Sequence, residues 1–237
     1  MLFLDFDGTL VPLVQHPTKA LLDGSTRETL ARISRNSRII TTIISGRSLS
    51  DICGRIGLEG IVYAGNHGLE ICGPQLRFME PAAAARREEL AHLSERLAAK
   101  LRHIEGAIVQ FKGLTTSVHY RSAAPEDITR IETAIKAAIA SALASFRLAP
   151  SKMAFEIIPQ TGWDKGKAVC WIEQHFGDGN ALSIYLGDDV TDEDAFKVLP
   201  HGITVKVGDF AATAAKYWLA DPPAVHEFLT WMTLHVS

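Results

Sequence analysis

The order of strands and helices in the first 65 residues is the feature that most constrains the fold. Three short runs that are apolar or β-branched, at 2–6, 38–45 and 60–65, predict strands that are covered on both faces. Helical patterns fill the two gaps between them, at 25–36 and 48–57. This alternation predicts an α/β fold with a doubly wound parallel sheet. Ligands bind such a sheet beyond the carboxyl ends of its strands.

The alternation is interrupted after residue 80 and resumes near residue 159. The interrupting segment predicts helices and half-exposed strands in turn, at 81–104, 115–121, 125–146 and 152–159. The core pattern then returns as helices and strands at 166–176, 182–187, 203–207 and 222–235. We therefore predict a core domain over 1–80 and 159–237 and an inserted α+β cap domain over 81–158. The topology predicts that the open sheet of the insert covers the active edge of the core.

Four short polar segments fall at the ends of the predicted core strands. They contain Asp5 and Asp7 ("DFDGT"), Ser45 and Arg47 ("SGR"), Lys165 ("DKG"), and Asp188, Asp189 and Asp192 ("GDDVTDED"). Asp5 and Asp7 lie two residues apart on a predicted strand, so they should point to the same side and repel each other. Buried carboxylates need a compensating partner. Mg²⁺ is usually held by carboxylates together with substrate phosphate oxygens, so Asp5 and Asp188 predict a Mg²⁺ site.

The same residue types fit phosphoryl transfer. A carboxylate such as that of Asp5 can act as a nucleophile and form an aspartyl-phosphate. Asp7, two residues further on, can protonate the leaving group and then activate water. Ser45 and Lys165 can hold the nonbridging oxygens of the phosphoryl group and neutralise their charge. The four segments together therefore predict an enzyme that transfers phosphoryl groups.

These segments resemble the four motifs of the haloacid dehalogenase superfamily of phosphatases. Other segments resemble the trehalose-6-phosphate phosphatase family along nearly the whole chain, at "GNHG" (65–68), "VHYR" (118–121), "KMAFEIIP" (152–159), "WDKG" (163–166) and "GDDVTDE" (187–193). The resemblance implies a Rossmannoid core of the haloacid dehalogenase type and a cap that recognises the sugar. It also implies Mg²⁺ as cofactor and a small sugar phosphate as substrate.

The resemblance implies a role for each matching residue of the catalytic centre. It makes Asp5 the nucleophile and a Mg²⁺ ligand. It makes Asp7 the general acid and base, with its backbone carbonyl on Mg²⁺. Asp188 would be the third protein ligand of the metal. Ser45 would bind the phosphoryl group, and Lys165 would pair with that group and orient Asp5.

Further roles implied by the resemblance surround this centre. Thr9 would bind the phosphoryl group together with Ser45. Asp189 and Asp192 would support the metal-bound waters and Lys165. Residues of the core that would contact the substrate are Arg47, Asn66, His67 and Glu70.

The inserted domain carries two polar strand faces that suit a sugar. In "KMAFEIIP" the alternation puts Lys152 and Glu156 on one face, opposite Met153, Phe155 and Ile157. The two polar residues would lie about 13 Å apart at about 3.3 Å per residue, a span that one disaccharide could bridge. In "SVHYR", His119 and Arg121 share a face. The resemblance implies that Arg121, Lys152 and Glu156 face the sugar.

The motifs predict a Mg²⁺-dependent phosphatase that hydrolyses trehalose 6-phosphate through an aspartyl-phosphate. Other substrates stay open: a sucrose phosphate, a mannosyl- or glucosyl-phosphoglycerate, or a hexose phosphate. Asn66 and Ile158 depart from the family pattern, which often has an acidic or small residue and a basic residue at these positions. A catalytically silent sugar-phosphate sensor and a phosphomutase are the remaining alternatives. The intact catalytic set argues against the sensor.

Charge and hydropathy indicate which partners and which cellular compartment to expect. The formal net charge is −3 and no basic run is present, so we expect no nucleic acid partner. No apolar stretch reaches 18 residues, and Asp5 interrupts the apolar start, so we expect neither a transmembrane helix nor a signal peptide. The three cysteines form no CxxC motif. We expect a cytoplasmic monomer without a membrane partner.

Overall fold

The computed structural model of the protein describes residues 1–14, 16–142, 145–151, 153–177, 179, 181–209 and 212–236. The chain divides into two compact units. Met1–Phe78 and Asp164–Ser237 form the first, which we call the core unit. Met79–Trp163 form the second, which we call the inserted unit. The sequence predicts the corresponding boundaries at 80/81 and 158/159.

The first part of the core unit alternates strands with helices and then adds two further strands. Its elements are β1 (Leu2–Leu4), α1 (Gly24–Ser34), β2 (Thr41–Ile44), α2 (Leu49–Ile56), β3 (Val62–Gly65), β4 (Glu70–Gly73) and β5 (Leu76–Met79). The side chain of Asp23 caps α1 by accepting from the backbone N–H of Thr26. The side chain of Ser48 caps α2 in the same way. Gly57 ends α2 in the left-handed conformation, with a φ of 59°.

The inserted unit is a small α+β structure with its own apolar core. Its elements are α3 (Pro81–Ala85), α4 (Arg87–Leu101), β6 (Ile108–Phe111), β7 (Thr116–His119), α5 (Pro125–Ile139), β8 (Phe146–Ser151) and β9 (Ala154–Pro159). The strands form an antiparallel sheet in the order β6-β7-β9-β8. Leu97 of α4 and Ile135 of α5 pack in one buried cluster with Val118 and Ile157 of the sheet. The two helices therefore cover one face of this sheet.

The second part of the core unit resumes the alternation. Its elements are α6 (Lys165–Phe176), β10 (Ile184–Gly187), α7 (Asp192–Val198), β11 (Ile203–Val207), β12 (Tyr217–Leu219) and α8 (Pro222–His235). Asp164 caps α6 and Asp221 caps α8 through their side chains, and Pro222 begins α8 where its missing N–H costs nothing. Across the described part of the chain, no helix combines the length and the apolar content that crossing a membrane requires.

The two parts of the core unit share one sheet. Its strand order is β12-β11-β10-β1-β2-β3-β4-β5, and the strands from β12 to β3 run parallel. Leu4 of β1 aligns with Ile43 of β2 on one side and with Leu186 of β10 on the other. The carboxyl ends of three central strands therefore meet at one edge of the sheet.

Side chains cover both faces of the core sheet. On one face, Leu4 and Leu186 belong to a buried cluster with Leu30 of α1 and Leu229 of α8. On the other face, the fully buried ring of Tyr185 meets the ring of Phe196 of α7 edge to face. The predicted α/β class with a doubly wound, mostly parallel sheet is confirmed. Double coverage explains why the central strands read as continuous apolar runs.

Several predicted elements end earlier than the sequence pattern indicates. The predicted helix 81–104 is two helices that meet at Arg86, and the predicted helix 125–146 ends at Ile139. Phe146, predicted on the apolar stripe of that helix, instead begins β8 and is buried in the core of the inserted unit. A buried aromatic residue at position 146 fits the apolar stripe of a helix as well as the start of a strand. Periodicity alone therefore did not show where the helix ends.

The prediction of a continuous strand over 152–159 was wrong at its start. Met153 lies in a turn between β8 and β9 with a φ of 58°, and its side chain is 43% exposed rather than packed. The strand begins at Ala154. Lys152 lies outside the described residues. The distance of about 13 Å along one strand therefore does not apply to this segment.

Four strands at the sheet edges and the neighbouring strand β4 were missed. The sequence pattern predicts no strand at β4, β5, β6, β8 or β12. β6 and β12 are edge strands of three or four residues with exposed or half-exposed side chains. Edge strands of this kind carry little of the apolar alternation on which a sequence-based prediction depends.

The cap of α1 provides a test of this local structure. The pKa of Asp23 is lowered by hydrogen bonds from Ser25 and Thr26, so its carboxylate stays ionised at neutral pH. Asp23→Ala should lower the free energy of unfolding by about 1 kcal/mol, as loss of a helix cap does. Because the pKa is depressed in the folded state, this difference should be present at neutral pH and vanish as the pH falls into the acid range.

Urea unfolding of wild type and variant at several pH values measures this difference. Glu28→Ala, at an exposed position of the same helix, is the matched control and should change stability by less than about 0.5 kcal/mol. An Asp23→Ala variant as stable as the wild type at neutral pH would contradict the assignment of the cap.

Candidate active site

The carboxyl edge of the core sheet brings three predicted site residues together. Asp5, Ser45 and Asp188 directly follow β1, β2 and β10, which are neighbours in the sheet. The backbone N–H of Asp5 continues the ladder by donating to the carbonyl of Leu186 at 3.0 Å. All three side chains are buried. Strand order, more than distance along the chain, places them together.

Lys165 lies between two of the buried carboxylates. As the first residue of α6, it donates from Nζ to Oδ1 of Asp5 at 2.8 Å and to Oδ1 of Asp192 at 2.7 Å. Asp192 also accepts from the Tyr185 hydroxyl at 2.7 Å and, through Oδ2, from the backbone N–H of Asp189 at 2.8 Å. Both oxygens of Asp192 are thus used inside the protein, which makes it a fixed support for Lys165.

Burial and charge shift the pKa values of this cluster in opposite directions. Burial raises the pKa of Asp5 well above its usual value, because the attraction of Lys165 does not offset it and Asp192 and Asp188 add repulsion. Burial opposes the ionised form of Lys165, but the carboxylates of Asp192 and Asp5 outweigh it and raise the pKa of the lysine. Burial also disfavours the ionised form of Asp192, but Lys165 lowers its pKa below the usual value. Lys165 therefore offsets only part of the effect of burial on Asp5.

The carboxylate of Asp188 lies close to Gly8 in the loop that follows β1. A Cβ on Gly8 would lie 1.9 Å from Oδ2 of Asp188, and Gly8 has a φ of 87°, so both space and conformation require glycine there. Lys206 of β11 donates from Nζ to the backbone carbonyl of Asp188 at 2.7 Å. One carboxylate oxygen from each of Asp5, Asp188 and Asp192 lies within 4.8 Å of the other two.

Asp7 is paired with a different cation from Asp5. Its oxygens Oδ2 and Oδ1 accept from Nε and Nη2 of Arg47, each at 2.7 Å. β1 ends at Leu4, so Asp5 and Asp7 are not neighbours on one strand. The prediction that both aspartates lie on one strand was wrong, and each carboxylate has its own cation.

Thr9 of the "DFDGT" segment and Ser45 of the "SGR" segment carry buried hydroxyl groups. Within the described part of the chain, Oγ1 of Thr9 is buried and has no hydrogen-bond partner. Ser45 accepts through Oγ from the backbone N–H of Arg47 at 3.2 Å. A buried hydroxyl without a partner is costly unless a ligand satisfies it.

The "GNHG" segment is held against the "SGR" loop. The backbone N–H groups of Asn66 and His67 donate to the carbonyls of Arg47 and Ser45 at 2.6 and 2.9 Å. Both residues are buried and have positive φ values, 48° and 59°. Asn66 also donates from Nδ2 to Oε1 of Glu70 at 2.6 Å. Such backbone conformations are costly for residues other than glycine and often occur at functional sites.

The polar residues of the inserted unit form a separate network on its sheet. Glu156 of β9 is buried and accepts from Nζ of Lys112 at 2.9 Å and from Oγ of Ser117 at 2.5 Å. His119 of β7 lies 2.9 Å from Gln110 of β6. Arg121 follows β7 and is half-buried. Lys152, the remaining predicted sugar contact, lies outside the described residues.

Comparison with known proteins identifies the family. The sequence profile of the trehalose-phosphatase family matches residues 3–223. The chain belongs to this family. It is 37% identical over 236 residues to the trehalose-phosphate phosphatase of Mycobacterium tuberculosis (strain ATCC 25618 / H37Rv). The match to the trehalose-phosphate phosphatase of Mycobacterium marinum is 36% identical over 236 residues. Each match covers 95% of this chain, and the chain spans 59% of the length of these relatives.

Solved structures support the fold of this trehalose-phosphatase family member. A trehalose-6-phosphate phosphatase related protein matches 98% of this chain and 96% of its own, with a TM-score of 0.87 and 24% identity. The C-terminal domain of the trehalose-6-phosphate phosphatase of C. albicans matches 98% of this chain and 90% of its own, with a TM-score of 0.81 and 22% identity. A haloacid dehalogenase-like hydrolase from Bacteroides thetaiotaomicron covers 98% of both chains with a TM-score of 0.68 and 18% identity. The predicted resemblance is confirmed.

The donor set of the acidic cluster fits a hard divalent cation. Asp5 and Asp188 offer buried carboxylate oxygens within 4.8 Å of each other. Lys165 pairs with Asp5 and Asp192, and Asp188 adds a third carboxylate to the cluster. Oxygen donors that carry a negative charge match the preferences of Mg²⁺. A bound cation would favour the ionised form of Asp5 and so lower its raised pKa.

Four polar residues that support the two networks were not predicted from the sequence. Tyr185 and Lys206 lie in the apolar strands "IYLG" and "ITVKV", and Lys112 and Ser117 lie at the end of β6 and in β7. A lysine in an otherwise apolar, buried strand is a signal that could have identified Lys206, because lysine is seldom buried without a partner. Nothing in the local sequence of Lys112 indicates that its amine reaches Glu156.

Lys206 provides a test of the support around Asp188. Lys206→Met keeps most of the apolar stem but removes the donor to the backbone carbonyl of Asp188. Leaving this acceptor without its donor should lower the free energy of unfolding by about 1–3 kcal/mol in urea denaturation. Lys197→Met, at a lysine whose side chain is 65% exposed, is the control and should be near neutral. Equal stability of both variants would show that the buried hydrogen bond does not matter.

Proposed function

We propose that the chain is a Mg²⁺-dependent phosphatase that hydrolyses trehalose 6-phosphate to trehalose and phosphate through an aspartyl-phosphate on Asp5. The observation that carries the proposal is the buried arrangement in which Lys165 joins Asp5 to Asp192, with Asp188 beside them. A nucleophilic carboxylate needs an orienting cation and a metal site for its phosphoryl group, and these residues can supply both.

The choice of substrate is supported by the family. The mycobacterial relatives carry the name trehalose-phosphate phosphatase, and the match covers 95% of this chain. The sucrose-phosphatase from Synechocystis shares the fold with a TM-score of 0.57, so the fold does not separate these two sugar phosphates. Residues that contact the sugar, rather than the shared fold, must make that distinction.

The first chemical step forms the acyl phosphate. A carboxylate oxygen of Asp5 attacks phosphorus, and the bond from phosphorus to the sugar oxygen breaks. Asp7 gives its proton to that oxygen, which leaves as the sugar hydroxyl. Mg²⁺, held by Asp5, the backbone carbonyl of Asp7 and Asp188, would supply positive charge to the phosphoryl oxygens. Lys165 holds Asp5 in place and adds its own charge.

The second step returns the free enzyme. Asp7, now ionised, takes a proton from water, and the water oxygen attacks phosphorus. The bond from phosphorus to Asp5 breaks, and inorganic phosphate leaves. Thr9 and Ser45 donate hydrogen bonds to phosphoryl oxygens in both steps, and the unpartnered hydroxyl of Thr9 suits this role. Asp192 holds Lys165 in place, and Asp189 and Asp192 would support waters on the metal.

Sugar recognition is assigned to the inserted unit and to the "GNHG" segment. We propose that Glu156 accepts hydrogen bonds from sugar hydroxyls, because Lys112 and Ser117 hold its carboxylate in one orientation. The proposed sugar contacts from both units, besides Glu156, are Asn66, His67, Glu70, His119, Arg121 and Lys152.

A substrate panel tests the proposal. Phosphate release should be strong from trehalose 6-phosphate, weak from sucrose 6-phosphate, glucosyl-phosphoglycerate and glucose 6-phosphate, and abolished by EDTA. Asp5→Asn should reduce the rate about a thousandfold or more, because it removes the carboxylate on which the acyl phosphate forms. Circular dichroism of this variant checks that the fold is retained.

The other outcomes of the panel each have a meaning. Mg²⁺-dependent release from a different sugar phosphate would keep the chemistry of Asp5 and overturn the substrate. Transfer of the phosphate within the sugar, without release, would identify a phosphomutase. No turnover of any compound would favour a sensor.

A variant of Glu156 tests sugar recognition separately from phosphoryl transfer. Glu156→Gln should lower kcat/KM for trehalose 6-phosphate about tenfold or more, since a hydrogen bond to a charged group contributes about 1.5–3 kcal/mol. Turnover of p-nitrophenyl phosphate, which lacks the sugar, should change much less. Glu105→Gln, at an exposed position of the same unit, is the control. Equal losses on both substrates would contradict the role of Glu156 in reading the sugar.

A further inference from the structure

Arg47 directs its guanidinium group at residues of this chain rather than into open space. Nε and Nη2 form two bonds with the carboxylate of Asp7, each 2.7 Å long. Nη1 donates to Oδ2 of Asp51 at 2.7 Å, and Nη2 also donates to the backbone carbonyl of Pro17 at 2.9 Å. These four contacts use four of the five N–H donors of the guanidinium group. Arg47 therefore has little capacity left for a substrate.

The position of Arg47 is itself fixed from several sides. The residue is 9% exposed, and its Cζ lies 5.3 Å from the centre of the buried ring of Phe6. Its second carboxylate, Asp51 in the first turn of α2, is held by Arg55 at 2.9 and 3.0 Å. A guanidinium that is packed and anchored in this way can hold a partner carboxylate in one plane.

Two parallel bonds from a planar fork determine the orientation of a carboxylate more strictly than one bond does. A carboxylate has about four lone-pair positions, and the fork uses one on each oxygen. The remaining positions on Asp7 can accept and release a proton while the pair stays intact. Proton transfer depends on such alignment, because the donor and the acceptor must lie within hydrogen-bond reach.

We propose that Arg47 is a positioning residue for Asp7, and that its fork orients the carboxylate for proton transfer to the leaving oxygen. This inference rests on the proposed function, in which Asp7 is the general acid and base. It replaces the predicted contact between Arg47 and the substrate. Arg47 acts through Asp7 and touches neither the sugar nor the phosphoryl group.

The role of Arg47 predicts a dependence on the leaving group. Phenyl phosphates with acidic phenols lose their leaving group without help, whereas those with basic phenols need a proton from Asp7. In a plot of kcat/KM against the acidity of the phenol, Asp7→Asn should therefore give a steeper slope than the wild type. Arg47→Lys, which keeps the charge but loses the fork, should steepen the slope toward that of Asp7→Asn.

The magnitudes follow from the contribution of acid catalysis. Since a positioned general acid contributes about 10²–10⁴-fold, Arg47→Lys should lose about tenfold or more on the most basic phenol. The same variant should lose less than about threefold on p-nitrophenyl phosphate, which needs little protonation. In the double variant with Asp7→Asn, Arg47→Lys should not steepen the slope further, because the two residues act as one unit.

Arg55→Lys is the matched control. Arg55 belongs to the same helix and shares Asp51 with Arg47, but its hydrogen bonds go to Asp51 and to the carbonyls of Thr18 and Ala20, not to Asp7. It should therefore show the slope of the wild type. If Arg47→Lys does not fold, Arg47→Ala is assayed with added guanidinium ion, which should restore activity on basic phenols most strongly.

The outcomes separate the inference from the proposed function. An unchanged slope for Arg47→Lys beside a steepened slope for Asp7→Asn would overturn the positioning role alone. An equal loss on every phenol, or the same effect in Arg55→Lys, would also overturn it, since either result indicates a substrate contact or a structural role. A wild-type slope for Asp7→Asn would overturn the role of Asp7 and, with it, this inference.

Discussion

The buried lysine between Asp5 and Asp192 is the interaction on which the candidate site depends. Its amine donates to both carboxylates at 2.7–2.8 Å in a region almost without solvent exposure. Removing one partner of a buried ion pair typically costs about 3–5 kcal/mol, because the other charge stays buried. Burial still raises the pKa of Asp5, because the attraction of Lys165 does not fully offset the loss of solvent. This deficit is what makes the edge of the sheet suited to a cation and a phosphoryl group.

The chain builds this site from segments that are far apart in sequence. β1 lies between β2 and β10, so residues near position 5, position 45 and position 188 meet at one edge. α6 then begins at Lys165 and delivers the lysine to that edge. The family match over residues 3–223 and the fold shared with haloacid dehalogenase-like structures agree with this arrangement. The strand order thus brings these residues together, whereas only the residues of the "DFDGT" loop are close to one another along the chain.

Most of the core and the acidic cluster could be predicted, because their signals are local. An apolar run followed by aspartates marks a strand end, and β11 and α8 have the bounds that the pattern predicts. Contacts of long side chains could not be predicted in this way. The reach of Arg47 to Asp7 and of Lys206 to the carbonyl of Asp188 depends on which strands are neighbours. The turn at Met153 was missed because alternating apolar residues do not mark where a hairpin ends and its strand begins.

Direct detection of the acyl phosphate is the measurement that tests the central claim most closely. Asp7→Asn, in which breakdown of the intermediate should be slow, is mixed with trehalose 6-phosphate and Mg²⁺ and quenched in acid. Borohydride then reduces an aspartyl-phosphate to homoserine, which mass spectrometry locates in the sequence. The account predicts homoserine at position 5 and nowhere else. An unmodified Asp5 in a variant that still releases trehalose, or a modification at another residue, would contradict it.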